Sequence, residues 1–272
     1  MVNNIDHLVA HYGYRFFELH ADLKKEIGDN SYLMGHLSRM IASILELQEI
    51  IKEGSNVLEL GFSNFFHKHL QVNVNTWDYT IYPSSQSLTI EPTLRVGEAS
   101  NSPLIVNSTS IEINFEEQVF PVMDLPKYDL IICTEVIEHM DCDPMWLMCE
   151  VNKLLKVGGY LFLTTPNSVS ARIFWKVAHG FHPSFFLKYS KNRNPYRHNY
   201  EYTPQNISDL LTCSGFDVLK RITLDTFEDP LERAYKELIR CDFNTSDRGD
   251  NIFAIAKKTG DVVDRYPSFL YS

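Results

Sequence analysis

The sequence has little positive charge and lacks a long apolar run. Lys and Arg number 25 against 35 Asp and Glu, which gives a net charge of −10, and the chain contains no strongly basic stretch. Proteins that bind nucleic acid nonspecifically usually carry a basic surface, so we do not expect nucleic acid as the partner. No apolar run approaches the roughly 20 residues that a membrane helix needs, so no membrane span is predicted.

The sequence also shows no metal-type cysteine spacing, no signal-peptide pattern and no internal repeat. The five cysteines lack metal-ligand spacing and indicate reduced thiols. The N-terminal "MVNNIDHLVAHYGY" lacks the basic-then-apolar order of a secretory signal. Both features lead us to expect a cytoplasmic protein. A length of 272 residues suits one domain with an elaborated lid, and the sequence leaves a homodimer open.

Apolar patterning indicates helices that alternate with buried strands. The spacing in "YLMGHLSRMIASILELQEII" predicts a helix, and another is expected from Asp143-Pro144 to Gly158-Gly159. A further helix is predicted at 203–215, whereas the polar stretch 83–110 has no clear assignment. The predicted strands are "NVLELG", "VNTWDY" ending near Asp78, "YDLIICT", "YLFLTT", "FDVLKRITL" and "NIFAIAKK". This alternation predicts an α/β fold with a mostly parallel sheet.

The strand "NVLELG" runs into a glycine turn, where open α/β sheets bind their ligands. Gly61 would let a ligand approach the backbone, and Asp78, nineteen residues after Glu59, could accept from both hydroxyls of a ribose. A simple turn glycine and a loop aspartate are the alternatives. The chain lacks the G-x-G-x-x-G loop that cradles a pyrophosphate, which argues against NAD and FAD.

Four motifs together resemble those of the Rossmann-like, class I S-adenosylmethionine-dependent methyltransferases. They are "VLELG", Asp78, "KYDLIICTEVIEHM" and "LLKVGGYLFLTTPN", and the resemblance spans residues 55–260. It implies a mostly parallel seven-stranded sheet with helices on both faces, and S-adenosylmethionine as cofactor. It further implies that Glu59 and Gly61 flank the methionine part of the cofactor, Asp78 binds its ribose, Asn114 borders the adenine and Thr134 lies beside it.

The chain departs from the family in its first motif, where Ser63 and Phe65 replace two glycines. The resemblance also suggests a division of the chain. Residues 1–52 form an N-terminal helical extension, residues 53–260 the methyltransferase domain and residues 261–272 a C-terminal tail. Within the domain, residues 167–202 form a lid or substrate-binding insertion after the fifth strand, because this segment is too long and too aromatic for a simple connection.

The stretch "EVIEHM" places three ionisable side chains at the end of a buried strand. In a helical turn, Glu135 would face both Glu138 and His139. Two carboxylates so close repel each other unless a cation or a proton lies between them. Carboxylates suit Mg²⁺ or Mn²⁺, and one imidazole shifts the balance slightly towards Mn²⁺, Fe²⁺ or Zn²⁺. The alternative is that Glu138 and His139 only cap the turn and contact the cofactor end of the sheet.

A further histidine, His198 in "YRHNYEYT", extends this pattern. E-x-x-E-H followed by a later histidine resembles the small-RNA terminal 2′-O-methyltransferases, and ubiquinone-pathway O-methyltransferases share its first part. That resemblance implies Glu135, Glu138, His139 and His198 as ligands of a divalent ion. His198 could instead be an ordinary lid residue. For catalysis, we predict that His139, His198 and Glu138 activate or deprotonate an acceptor hydroxyl.

The insertion suggests the acceptor, because it combines many aromatic residues with cations. Aromatic faces stack on sugars and cations hold phosphates, although core packing explains part of the aromatic content. The basic residues are Arg172, Lys176, Lys188, Lys191, Arg193 and Arg197. The layout resembles sugar O-methyltransferases of bacterial surface-polysaccharide pathways. We therefore expect a small nucleotide- or phosphate-linked sugar as substrate, with an RNA-terminal 2′-O-methyltransferase and a non-catalytic cofactor-binding module as alternatives.

Overall fold

The structure is a computed structural model of the chain. It describes residues 3–61, 63, 65–70, 72–82, 93–98, 107–121, 127–140, 143–183 and 197–271, with the backbone alone for residues 93–98 and 107. Lys188, Lys191 and Arg193 of the predicted lid lie outside the described residues.

Three helices precede the first strand: α1 (Asn4–Tyr12), α2 (Tyr14–Ile27) and α3 (Ser31–Leu47). The side chains of Asn3 and Asn30 cap α1 and α3 by accepting hydrogen bonds from backbone amides inside the first turn. The apolar side of α3 packs on one face of the sheet and shares a hydrophobic core with strand residues such as Trp77 and Phe162. The N-terminal helical extension expected of the fold is therefore attached to the sheet through a common core.

Eight described strands form one sheet in the order β3-β4-β2-β1-β5-β6-β8-β7. Their bounds are β1 (Asn56–Leu60), β2 (Thr76–Ile81), β3 (Thr93–Glu98), β4 (Asn107–Glu112), β5 (Tyr128–Thr134), β6 (Leu155–Pro166), β7 (Phe216–Leu224) and β8 (Asn251–Lys258). Strands β4, β2, β1, β5 and β6 pair in parallel, and β8 runs antiparallel between β6 and β7. These seven strands confirm the predicted mostly parallel sheet and its closing antiparallel hairpin.

The eighth strand, β3, pairs antiparallel with β4 at the edge of the sheet. Both strands lie largely in the polar stretch that has no clear assignment from the sequence. One face of strand β4 contributes little apolar surface, with Ser108, Ser110 and Glu112 following each other at alternate positions. Strand β3 is outermost and β4 lies beside it, and strands near the edge of a sheet need less apolar patterning than central ones, which explains why the sequence does not indicate this hairpin.

The remaining helices cover the sheet: α4 (Phe66–His69), α5 (Pro144–Leu154), α6 (Ala171–Ala178), α7 (Pro204–Cys213) and α8 (Glu232–Arg240). Helix α5 begins as predicted, with the Asp143 side chain accepting from the Trp146 amide. Its predicted end at Gly158-Gly159 is wrong, because β6 already begins at Leu155, which pairs with Tyr128 before an irregularity in the register. Helix α8 was not predicted.

The C-terminal tail packs against the start of α5. Arg265 donates to Oδ1 of Asp143 at 3.1 Å, and the hydroxyl of Tyr271 donates to the same carboxylate. Within the predicted lid, α6 packs on α8 in a small apolar cluster that includes Ala171, Ala234 and Leu238. Among the described helices, none combines the length and the apolar character that a membrane span requires.

Candidate functional site

A cavity of about 860 Å³ lies at the carboxyl ends of the parallel strands. Its walls come from the segments that follow β1, β2, β4 and β5, and from one side of α3. The residues used below are Tyr32, His36, Arg39, Gly61, Ser63, Thr80, Tyr82, Asn114, Glu116, Thr134, Glu135, Val136, Glu138, His139, His198, Phe227 and Glu228. Open α/β sheets bind ligands at this position, so the cavity is the candidate active site.

The turn after β1 is shaped by a buried carboxylate. Oε1 of Glu59 accepts from the Ser63 amide at 3.0 Å and from its hydroxyl at 2.8 Å, while Oε2 accepts from Nε1 of Trp77 at 3.0 Å. Burial raises the pKa of Glu59. The Glu59 carboxylate therefore fixes the conformation of the turn. Ser63 replaces a glycine of the motif and donates both of its hydrogen bonds to Glu59.

Gly61 lines the cavity at this turn and lets a ligand approach the backbone. Its φ of 72° lies in the left-handed region, and a Cβ there would meet Cγ2 of Val136 at 3.0 Å. Its amide donates to Oγ1 of Thr80 at 2.9 Å, which joins the ends of β1 and β2. A larger residue at this position would distort the cavity wall.

The structure corrects the predicted place of Asp78. Strand β2 ends at Ile81, not near Asp78, which is only 1% exposed and does not contribute to the cavity. Its carboxylate accepts from the Thr109 amide at 2.8 Å, from Nζ of Lys127 at 2.6 Å and from the hydroxyl of Tyr128 at 2.7 Å. Asp78 thus ties three strands together inside the sheet.

Tyr82 occupies the wall at the point where β2 ends, and the sequence interpretation missed it. Asn114 and Thr134 line the cavity, as do Gly61 and the residues that follow β5. Oδ1 of Asn114 accepts from the Glu116 amide at 3.1 Å and caps a short 3-10 helix, Phe115–Glu117. The cavity is thereby bordered on this side by a fixed turn.

The tip of β5 differs from the single helical turn expected for 135–140. Glu135 has a φ of 54° and stands before a short 3-10 helix, Ile137–His139. Its Oε1 accepts from Oγ1 of Thr164 at 2.8 Å and from Nδ2 of Asn251 at 3.0 Å. Glu135 is therefore held by β6 and β8, beside the group formed by Glu138 and the histidines.

Glu138 is fully buried at the floor of the cavity. Its Oε2 accepts from Oγ1 of Thr165 at 2.9 Å, while its buried Oε1 has no hydrogen-bond partner among the residues that the structure describes. Burial, and secondly the charge of Glu135, raise the pKa of Glu138 well above its ordinary value. A buried carboxylate oxygen without a donor is unfavourable, so this atom is suited to receive a proton or a cation.

Two histidines complete the cluster. Nδ1 of His139 lies 3.2 Å from the carbonyl oxygen of Arg197, and Nδ1 of His198 lies 3.0 Å from Oε1 of Glu201. Donating Nδ1–H to these oxygens leaves Nε2 of each ring as the atom with a lone pair. One ligand atom each from Glu138, His139 and His198 lie within 4.8 Å of one another, so the cluster fits a divalent ion.

Backbone contacts explain how His198 reaches the tip of β5. The amide of Asn199 donates to the carbonyl oxygen of Glu138 at 2.7 Å, and Nδ2 of Asn199 donates to that of His139 at 2.7 Å. The end of the predicted lid is thereby fixed to the turn that carries Glu138 and His139. Of the four predicted metal ligands, the structure brings three into one group and places Glu135 outside it.

Helix α3 adds two basic side chains that the sequence interpretation did not place in the site. Arg39 is 4% exposed, and both its Nε and Nδ1 of His36 are buried without a hydrogen-bond partner in the described part of the chain. Tyr32, His36 and Arg39 share one helix face, so a polar stripe on an otherwise apolar helix was the available signal. This stripe does not indicate how α3 is oriented relative to the cavity.

Comparisons with known proteins agree with this architecture. A sequence-family model described as a methyltransferase domain matches residues 32–221. The small RNA methyltransferase HEN1 has a similar structure, with 15% identity, a TM-score of 0.50 and coverage of 83% of this chain and 25% of that chain. At this identity the likeness shows the fold alone. A comparison with curated proteins gives no match.

Two bacterial structures are similar at lower scores. An S-adenosylmethionine-dependent methyltransferase from Mesorhizobium loti shows 12% identity and a TM-score of 0.46, with coverage of 81% of this chain and 98% of that chain. The N-methyltransferase NodS from Bradyrhizobium japonicum WM9, solved with S-adenosyl-L-homocysteine, shows 12% identity and a TM-score of 0.45, with coverage of 90% and 97%.

Proposed function

The chain belongs to the methyltransferase domain family and uses S-adenosylmethionine, and from this premise we propose that it methylates a sugar hydroxyl. The proposed acceptor is a nucleotide-linked or phosphorylated glycan precursor, and the proposed location is the cytoplasm. The observation that carries the proposal is the convergence of Glu138, His139 and His198 on one wall of the cavity. Such a group can orient and deprotonate a hydroxyl, which is otherwise a poor nucleophile.

In this proposal, the cofactor lies along the ends of β1, β2 and β4 and supplies an activated methyl group. Gly61 and Asn114 border it, and Thr134 lies between it and the acceptor side. Glu59 acts indirectly by holding the turn that contains Ser63. The buried network of Asp78 favours a supporting role for that residue, so we propose that the wall near Tyr82, not Asp78, contacts the ribose.

A divalent ion, Mg²⁺ or Mn²⁺, would be held by Glu138, His139 and His198. The unpartnered Oε1 of Glu138 and the two Nε2 atoms left by the Nδ1 contacts support this assignment. When bound, such an ion lowers the pKa of a coordinated hydroxyl and can hold two neighbouring hydroxyls. Glu135, the fourth predicted ligand, would contribute its charge from the position fixed by Thr164.

The acceptor proton needs a nearby base. Without a bound ion, Glu138 suits this role because its raised pKa makes it a better proton acceptor than an exposed carboxylate. His139 or His198 is the other candidate where its Nε2 does not bind the ion, because donation from Nδ1 to a neighbouring oxygen leaves Nε2 to accept the proton. The side chains of Thr165 and Glu201 keep Glu138 and His198 in position while the proton moves.

The proposed function is tested by a methyl-transfer screen with labelled S-adenosylmethionine. Acceptors would be nucleotide sugars, sugar phosphates and short RNA, each with Mg²⁺, with Mn²⁺ and with excess chelator. We expect transfer to a phosphorylated or nucleotide-linked sugar that is lost in chelator. If only short RNA is methylated, the chain is an RNA-terminal 2′-O-methyltransferase and the sugar hypothesis is wrong. Full activity in excess chelator would show that no divalent ion assists the reaction.

A further inference from the structure

Helix α3 places a cation inside the cavity, and no partner for it lies among the residues that the structure describes. Arg39 lines the cavity, is 4% exposed, and makes no ion pair or hydrogen bond within the described part of the chain. A guanidinium stays charged at any physiological pH, and burying an unpaired charge is unfavourable. A ligand that brings a negative charge would remove this penalty.

The surroundings of Arg39 show which part of the cavity it serves. His36 lies one turn earlier on the same helix face, and its unpartnered Nδ1 is buried as well. The His36 ring packs at 5.9 Å from Phe227, which follows β7, and at 4.6 Å from the exposed ring of Tyr32. The subsite therefore lies between α3 and the loop after β7.

The charges near this subsite belong to the acceptor side of the cavity, apart from Glu228 beside Phe227, whose carboxylate pairs with Arg172 at 2.7 Å. Burial and the charge of Glu135 raise the pKa of Glu138, and Arg39 opposes this with a smaller effect; burial, and secondly Arg39, lower the pKa of His36, and Glu135 opposes them. Among the described lining residues, Arg39 is the one arginine or lysine. An anionic group bound here would lie next to the groups that hold the reacting hydroxyl.

We propose that Arg39, assisted by His36, binds a phosphate group of the acceptor. The planar guanidinium offers paired N–H donors that match two oxygens of a phosphate, and the neighbouring imidazole adds a further polar contact. This subsite rests on the proposed function, because it identifies the acceptor as phosphorylated. It gives the N-terminal extension a role in substrate selection: a neutral sugar would lack the group that occupies the Arg39 subsite.

The test is a calorimetric titration of inorganic phosphate into the full chain saturated with S-adenosyl-L-homocysteine, in excess chelator. Saturating S-adenosyl-L-homocysteine keeps phosphate out of the site that binds the cofactor's carboxylate. The chelator removes metal ions, so phosphate cannot bind through a metal ion. We expect Arg39→Gln to weaken phosphate binding by about tenfold or more, since a charge-assisted hydrogen-bond pair is lost. Arg39→Lys should lose less, because it keeps the charge and loses the paired donors.

The matched control is Arg240→Gln, which removes the same charge from a surface arginine paired with Glu237. Phosphate affinity should not change in this variant, and affinity for S-adenosyl-L-homocysteine should stay the same in all three. Unchanged phosphate binding in both Arg39 variants would overturn the proposal. Lost affinity for S-adenosyl-L-homocysteine with unchanged phosphate binding would instead assign Arg39 to the carboxylate of the cofactor.

This titration measures binding without turnover, so it separates the subsite from the proposed reaction. A positive titration with a negative methyl-transfer screen would keep the phosphate subsite and reject sugar methylation. A negative titration with an active enzyme would reject the subsite alone. The Arg39→Lys variant keeps the comparison informative if Arg39→Gln fails to fold.

Discussion

Replacing Glu138 by Gln should make the protein more stable and much less active. The wild-type carboxylate is completely buried with one oxygen lacking a donor, whereas Gln is neutral and of the same shape. The amide oxygen of Gln can still accept from Oγ1 of Thr165. Its NH₂ group would face Nε2 of His139, which lies 3.8 Å from Oε1 of Glu138 in the wild type. The buried charge is removed without leaving a cavity.

The magnitude follows from the unpaired oxygen. An unsatisfied buried polar atom costs about 1–3 kcal/mol, and more when it is charged. A gain of about 2 kcal/mol raises the midpoint of thermal unfolding by about 4–8 °C in a chain of this size. Because the pKa of folded Glu138 is raised above its ordinary 4.5, the wild type loses stability as the pH rises above that value. The advantage of Glu138→Gln should therefore grow as the pH rises above 4.5.

The assay is thermal unfolding in chelator at several pH values, with Glu53→Gln as the control. Glu53 is exposed, so the same chemical change should leave the midpoint unaltered. Saturating Mn²⁺ should then stabilise the wild type by about 2.7 kcal/mol at a hundredfold excess over its Kd, and stabilise Glu138→Gln less. A lower midpoint for Glu138→Gln in chelator would refute the reasoning, because it would show that the carboxylate is already well paired.

Three further predictions concern the supporting residues. Asp78→Asn should lower stability by about 1–3 kcal/mol through its lost partners and leave the calorimetric Kd for S-adenosyl-L-homocysteine unchanged; a large loss of affinity would return Asp78 to the ribose. Glu201→Gln should weaken Mn²⁺ binding about 10- to 100-fold because His198 loses its carboxylate partner, and unchanged binding would contradict that role. Burial, and secondly Asp225, raise the pKa of Asp250 from 3.8 to about 8, so stability against urea should fall between pH 4 and pH 8. An equally steep fall in Asp250→Asn would contradict this last assignment.

The sequence allowed the central strands to be predicted because their apolar runs are long and continuous. Strands β5 and β6 are buried on both faces, which leaves a pattern that needs no tertiary information. The glycine turn at Gly61 was found for a similar reason, because it directly follows such a run. Hydrophobic patterning therefore identified the framework and the edge at which ligands bind.

The positions of individual side chains depended on tertiary structure. The end of β2 lies three residues beyond Asp78, and this shift moves the carboxylate from the cavity into the sheet. The apolar spacing around Arg39 predicts a helix and nothing more, because the angle at which α3 crosses the sheet cannot be derived from that spacing. By contrast, His198 was found through a motif and not through periodicity.

The two hydrogen bonds of Asn199 to the carbonyl oxygens of Glu138 and His139 have an entropic consequence. They hold together positions 60 residues apart in the chain, with α5, β6 and α6 between them, so the entropic cost of bringing these positions together is part of folding and not of ion binding. An ion that enters the cluster would then meet ligands already gathered, and its affinity would depend on exchanging water for protein atoms and not on ordering the chain. Rapid loading and release, with little change in heat capacity, would distinguish such a site from one that folds around its metal.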